Sequence, residues 1–271
     1  MERAIFISLA ILLSIQASAQ KFHVGATTGI NSTFLLDKGL ADDPRYNATY
    51  TYSFSPIGLA AGVDFGPRFG VQLETILTNQ EQIYEVVDIA KTVVGERHID
   101  LQSINVPLLF KFMSGGSSKA RMNFSLGPQL AILTQGTETL EYAASTQEIP
   151  QGVSIPEGAI EKGDGTYDVP AVSKTELLST AAEDPLAEFK KTQVQFAGNL
   201  GVDIDLSDNI YLSTLLRVNY SLTDMRNDQL IALMKQNTNI AEDLFGRRAN
   251  LLVGFQVGVH YMFGGVWSSR R

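Results

Sequence analysis

The 271-residue sequence has no cysteine and a single tryptophan. Without thiols, neither disulfides nor a thiolate metal site can hold the chain together. Beyond its first residues it also lacks any long apolar run; the longest later patch, Pro56 to Val63, is short and broken by glycines. A helical membrane crossing needs about 20 apolar residues, so no such helix is encoded there. Positive charge is scarce as well: 21 Lys and Arg stand against 29 Asp and Glu, a net charge of −8. That excludes the basic face that nucleic-acid binding demands. There is no glycine-rich phosphate loop, histidine-rich zinc pattern or nucleophile elbow, so no cofactor, metal site or catalytic residue is expected.

What is present begins with Arg3, the apolar run Ile5 to Ile15, and Ala17-Ser18-Ala19 before Gln20. This pattern reads as a cleaved secretory signal over residues 1–19. Residues 20–271 then form one all-β unit.

Eight segments alternate apolar and polar residues with period two, the mark of strands with two unlike faces. They centre on Phe22–Thr27, Ile57–Phe65, Phe69–Leu77, Ser103–Phe112, Arg121–Ile132, Gln193–Asp205, Ile210–Tyr220 and Arg248–Phe263. Most are about ten residues or longer, the length a tilted strand needs to cross a bilayer. Three connections are tight and rich in turn formers: Gly66-Pro67, Ser114 to Lys119, and Ser207-Asp208-Asn209. The others are long, covering residues 35–55, 79–99, 135–190 and 223–246. An even strand count with short and long connections in strict alternation predicts an eight-stranded antiparallel transmembrane β-barrel, with short periplasmic turns and long external loops. Both termini then lie in the periplasm, and the protein resides in the outer membrane with lipid as its immediate partner.

The stretch Arg68 to Leu77, RFGVQLETIL, poses the decisive question of where Glu74 points. In a soluble strand it would face water. In a bilayer the apolar set faces lipid and Glu74 faces inward. The polar face as a whole carries Asp64, Glu74, Lys111, Arg121, Asp203, Asp205, Arg217 and Arg248, four acids and four bases. Such a balanced set suits a narrow lumen, and an eight-stranded barrel is just wide enough for side chains to fill. Glu74, Lys111, Arg121, Asp203 and Arg217 are therefore expected to form a structural ion-paired network, leaving no open channel. Aromatics near the segment ends, among them Phe22, Phe69 and Phe112 at one end and Tyr52, Phe54 and Tyr220 at the other, fit two interfacial girdles.

Residues 135–190 hold eleven carboxylates against three lysines, a net of −8 that equals the charge of the whole chain. Such a composition is expected of a solvated or partly disordered loop, the alternative being a surface that attracts basic partners or cations. Within it, Glu161, Asp164 and Asp168 surround glycines and offer oxygen ligands, although the spacing differs from an EF-hand loop. Residues 223–246 contain Leu230, Leu233, Met234 and Leu244 at roughly helical spacing before Gly246, predicting a short helix or two at the barrel mouth. Of the three histidines, His98 alone is placed for chemistry at the outer leaflet.

The opening KFHVGATTGINSTF, the segment LQSINVPLLFKF, the strand NFSLGPQLAIL and the closing LLVGFQVGVHYMF resemble the PorT-like outer-membrane β-barrel family of Gram-negative bacteria, related in architecture to OmpA and OmpX barrels. The resemblance covers nearly the whole chain after the signal. It implies a non-enzymatic structural or adaptor role, with protein partners in the envelope or in a secretion machinery of type IX kind. A small pore or a surface-binding protein is the alternative, and a lipid-modifying enzyme a more distant one.

Overall fold

The computed structural model describes residues 20–115, 119–153, 155–178, 189–236 and 247–264. The signal segment 1–19 lies outside them, as do 179–188 and 237–246. Thirteen strands are described. The first six are β1 (Lys21–Asp37), β2 (Tyr46–Ala48), β3 (Thr51–Asp64), β4 (Phe69–Val87), β5 (Val93–Met113) and β6 (Ala120–Tyr142). Then come β7 (Ser145–Glu148), β8 (Ile160–Gly163), β9 (Thr166–Val169), β10 (Val172–Leu177), β11 (Thr192–Asp205), β12 (Ile210–Ser221) and β13 (Arg248–Met262).

Eight of these close a ring through antiparallel ladders, in the order β1, β3, β4, β5, β6, β11, β12, β13. The closing ladder joins the first and last strands from His23–Met262 to Asp37–Arg248. Closure leaves no unpaired edge inside the membrane, where each unsatisfied backbone group would cost several kcal/mol, on the order of the cost of burying an amide in oil.

Burial is inverted relative to a soluble protein. Leu59 is 61 % and Met122 63 % exposed, whereas Glu74 is 1 % and Asp203 0 % exposed. The apolar set faces lipid, and the polar set faces the interior. At the turn end, Phe65, Phe69, Phe112 and Phe124 run round the rim with successive ring centroids 5.8, 5.5 and 6.4 Å apart. The tight turn between β3 and β4 uses Gly66 at φ 152°, a conformation that residues with a Cβ avoid.

The expected long loops are largely strand. β4 and β5 continue to Val87 and from Val93, consuming most of 79–99, and β6 continues to Tyr142. Their inward row above the belt reads Thr78, Gln80, Gln82, Tyr84 and the outward row Asn79, Glu81, Ile83, Glu85. Both faces are mainly polar there, so the hydropathy contrast vanishes although the hydrogen-bonded ladder goes on. The raised sheet gains β2 on one side and β10 on the other. The separate sheet β7-β9-β8 packs against it around Val86, Tyr142, Ile149 and Val169. Residues 35–55 hold the end of β1, a short helix Lys38–Asp42, β2 and the start of β3. The mouth helix runs over Asp228–Gln236, and Leu244 lies outside the described residues.

Candidate functional site

The strand alternation that points apolar side chains at lipid delivers charged and amide side chains into one narrow bore, where they stack in layers from the turn end to the loop end. Buried polar groups are tolerated only when paired.

At the turn end, Lys111 Nζ is 2.9 Å from Asp203 Oδ2, and Asn123 Nδ2 donates to both Asp203 oxygens. Arg121 Nη2 donates to Asp205 Oδ1 at 2.8 Å. The Tyr211 ring lies beneath Lys111, 5.1 Å from its ammonium, and stacks on His260 at 4.6 Å and 5°. His23 meets both rings edge-on at 6.0 Å and donates through Nε2 to Gln72 Oε1 at 3.0 Å. Ser213 Oγ is 2.9 Å from His260 Nε2. A hydroxyl on an imidazole is a nucleophile–base pair in outline. Here no carboxylate bonds the other ring nitrogen, Nδ1, which is buried without a hydrogen-bond partner.

In the middle layer Arg217 is the hub. It donates to Glu74 Oε2 at 2.6 Å, Gln256 Oε1 at 2.9 Å, Gln129 Oε1 at 3.2 Å and Asn219 Oδ1 at 3.2 Å. Glu74 also accepts from Gln72 at 2.6 Å, and Gln129 donates to Gln195 at 2.6 Å. Above it, Asn31, Ser55, Thr78 and Asn105 form a hydrogen-bonded row across four strands.

The loop end is closed differently. Asp37 Oδ2 accepts from Arg248 Nε at 2.5 Å, and over this pair lies an apolar cluster of Leu35, Leu40, Tyr84, Ile99, Leu101, Leu133, Phe189 and Met225. Phe189 and Met225 come from the segments before β11 and after β12. They are tied in by Lys190 N to Met225 O at 2.8 Å and Met225 N to Arg248 O at 3.0 Å. Arg226 grips Asp224, with Nη2 to Oδ2 at 2.9 Å. Burial disfavours the Asp224 charge, but the Arg226 bonds outweigh it and hold the carboxyl below its ordinary pKa.

The five expected lumen residues are thus all buried inside, in two layers. Glu74 pairs with Arg217 and Lys111 with Asp203, while Arg121 pairs with Asp205. Glu161, Asp164 and Asp168 lie on the β8–β9 hairpin outside the barrel. Asp164 occupies its turn at φ 54°, and Asp168 is held by Lys162 at 2.7 Å and Thr146 at 2.6 Å. The Lys162 bond, then the Thr146 bond, lower the Asp168 pKa. Among the described residues no three carboxylates or histidines converge on a point fit for a metal ion. His98 is on the outer face, with Nε2 2.6 Å from Glu96. Sequence reasoning missed Asp37, which sits at the inner face of a strand end read as loop, and the apolar mouth, whose residues come from six separate segments.

Residues 16–227 match the family model described as outer membrane protein beta-barrel domain. The chain belongs to this outer-membrane barrel family. The match includes seven of the eight barrel strands, and the eighth, β13, completes the ring beyond it. Among curated proteins, none matches the sequence. Among solved structures, the barrel is similar to the outer membrane protein OprG from Pseudomonas aeruginosa, at 14 % identity and TM-score 0.43, covering 90 % of this chain and 96 % of that one. Neisserial surface protein A is similar at 11 % identity and TM-score 0.40, covering 89 % and 97 %. The outer membrane protease OmpT from Escherichia coli is similar at 11 % and 0.39, covering 90 % and 96 %. At identities and TM-scores this low, none of the three informs the role of the present barrel.

Proposed function

We propose that this barrel is a non-conducting, non-enzymatic anchor that holds its raised sheet outside the membrane for a protein partner in the envelope. The observation that carries the reading is the filled bore: an ion pair spans the middle layer, a second charged layer lies below it, and an apolar cluster covers the mouth. Open aqueous channels come with about 16 strands, twice this number. The raised sheet, with the separate β7-β9-β8 sheet packed on it, is not consumed by closing the barrel. Its strand β10 is exposed along Ser173 to Leu177 and has no second strand beside it among the described residues, and an edge with unpaired backbone groups is a ready-made surface for another chain.

In this reading the short turns and both termini face the periplasm, after removal of residues 1–19. The resemblance to PorT-like barrels, one type of which serves type IX secretion, makes secretion and envelope-assembly components the partner class to seek first. His98 has Glu96 as its hydrogen-bond partner and supports no nucleophile–base–acid arrangement.

The test is affinity purification from outer membranes in mild detergent, comparing the intact protein with a deletion of residues 144–178, which removes the separate sheet together with the edge strand β10. The deletion is expected to keep a heat-modifiable barrel and lose a stoichiometric partner. A partner retained in full by the deletion, or single-channel steps from the intact protein in planar bilayers, would count against the reading.

A further inference from the structure

One stretch of the barrel wall is not laddered. The β3–β4 pairing runs from Asp64–Gly70 up to Gly58–Ile76 and stops. The next ladder partner of β4 on that side is β2, at Ala48–Tyr84. The interruption begins at a bulge in β3, where Pro56 and Ile57 both face outward and the register against β1 shifts between Thr27 and Gly29. Proline has no N–H to give a ladder, which is why it is found at such positions. Above it β3 and β4 have no backbone rungs and β4 lies beneath the inward side chains of its neighbours: Thr51 of β3 and Thr33 of β1, one strand further on, both donate to Glu81 O, at 2.5 and 2.7 Å.

Between the parted strands lies a cleft of about 410 Å³, within the range of small-ligand sites. One wall is aromatic, Tyr52 and Phe54 of β3. The floor is two rungs of outward polar side chains, Asn79–Gln102 and Glu81–Asp100 across β4 and β5. At its back is the Ser53 hydroxyl, in a residue only 9 % exposed, buried and without a hydrogen-bond partner. The row just beneath is Leu77, Ile104 and Ile132, register partners across three strands. The change from that apolar row to the polar rungs marks the membrane–water boundary, so the cleft opens at the depth of lipid headgroups.

Its charge is one-sided. Among the described residues that line it, Glu81 and Asp100 are the charged ones. The nearest base in contact is His98, 3.8 Å from Glu81, and among the described residues Asp100 has no ion-pair partner in its reach. A phosphate-rich, net anionic headgroup would be repelled. The geometry points to a binding site for one zwitterionic, ammonium-bearing lipid, with the ammonium on Asp100 and Glu81, headgroup oxygens on Ser53 and the Asn79 and Gln102 amides, and the chains passing down along Phe54 onto the apolar belt.

The full-length barrel, purified in a neutral maltoside detergent, is incubated with phosphatidylethanolamine or phosphatidylglycerol of the same chain length and examined by native mass spectrometry. One phosphatidylethanolamine per barrel is expected, preferred by about fivefold, the discrimination that one partly exposed ion pair supplies. Asp100→Asn is expected to remove the preference and Phe54→Ala to weaken retention of both lipids. Because the chain has no cysteine, a single fluorophore on Gln135→Cys at the cleft adds a local readout, quenched more strongly by brominated phosphatidylethanolamine than by the brominated glycerol lipid. Equal retention of the two lipids, or a preference untouched by Asp100→Asn, overturns the proposal.

Discussion

Glu74 and Arg217 stand on strands at opposite points of the ring, four strands apart in either direction, and their side chains meet at 2.6 Å. The contact therefore spans the bore. Both residues are nearly fully buried, so each charge depends on the other, and removing one partner strands the second in a low-dielectric interior. Glu74→Gln or Arg217→Met alone should cost about 3–5 kcal/mol of unfolding free energy. The double variant should lose clearly less than the sum of the two. Urea unfolding of the detergent-folded barrel, followed by the gel shift between folded and heated forms, measures all three, and strictly additive losses would show that the pair is not coupled.

Phe189 is fully buried in the apolar mouth, with the Arg248 guanidinium 5.5 Å from its ring centre. Phe189→Ala empties the centre of that cluster, a change of about 3–5 kcal/mol where a core cannot collapse. The mouth is local, however, and the ladders below do not depend on it, so the loss should appear as local opening while the barrel stays folded. Trypsin should cut at Lys190 and Lys191 much faster in the variant, with the heat-modifiable shift unchanged. Equal cleavage rates would mean that Phe189 does not hold the segment down.

The membrane part of this fold is legible from the sequence because lipid on one side and packed ions on the other give every residue pair opposite demands. Glu74 could be placed inside from its neighbours Leu73 and Val71 alone. Above Leu77 that contrast ends: Asn79 and Gln80 face opposite ways yet are both polar, and only the ladder shows that the strand continues. Ion-pair partners were harder still. Arg121 was legible as a lumen residue, but its pairing with Asp205 depends on the β6–β11 register, Asp203–Arg121 being the rung, which hydropathy does not encode. The mouth cluster unites Leu35, Leu101 and Phe189, residues whose sequence neighbours show no common period.

Asp224 supplies a pH dependence with a defined sign. Its folded pKa is depressed by Arg226, so its contribution is present above the ordinary carboxylate pKa of about 4 and is lost as the pH falls through the lower folded value. Acidification below about pH 4 should therefore loosen the Asp224–Arg226 turn that carries Met225 into the mouth. The difference in hydrogen-exchange protection around Lys190 and Met225 between the native chain and Asp224→Asn, measured at each pH from 7 downward, should vanish in that range. A gap that stays constant to the lowest pH would remove the ion pair from the account.

Gly127 marks where two strands approach too closely for any side chain. A Cβ there would lie 1.9 Å from Leu108 O, beside Pro107 and Pro128, and the β5–β6 ladder has no rung between Phe110–Leu126 and Pro107–Gln129. The obstructing atom is backbone, which cannot swing aside as a side chain could, so Gly127→Ala must part the strands in the middle of the wall. The expected loss is about 1–3 kcal/mol, as for other overpacked sites, together with slower refolding into micelles. Gly198 provides the comparison within the same barrel: its added methyl would find nothing nearer than 3.9 Å. Gly198→Ala should match the native chain in urea midpoint and refolded fraction. If both substitutions behave alike, close backbone approach is not what requires glycine at position 127, and the wall there must be soft enough to admit a methyl group.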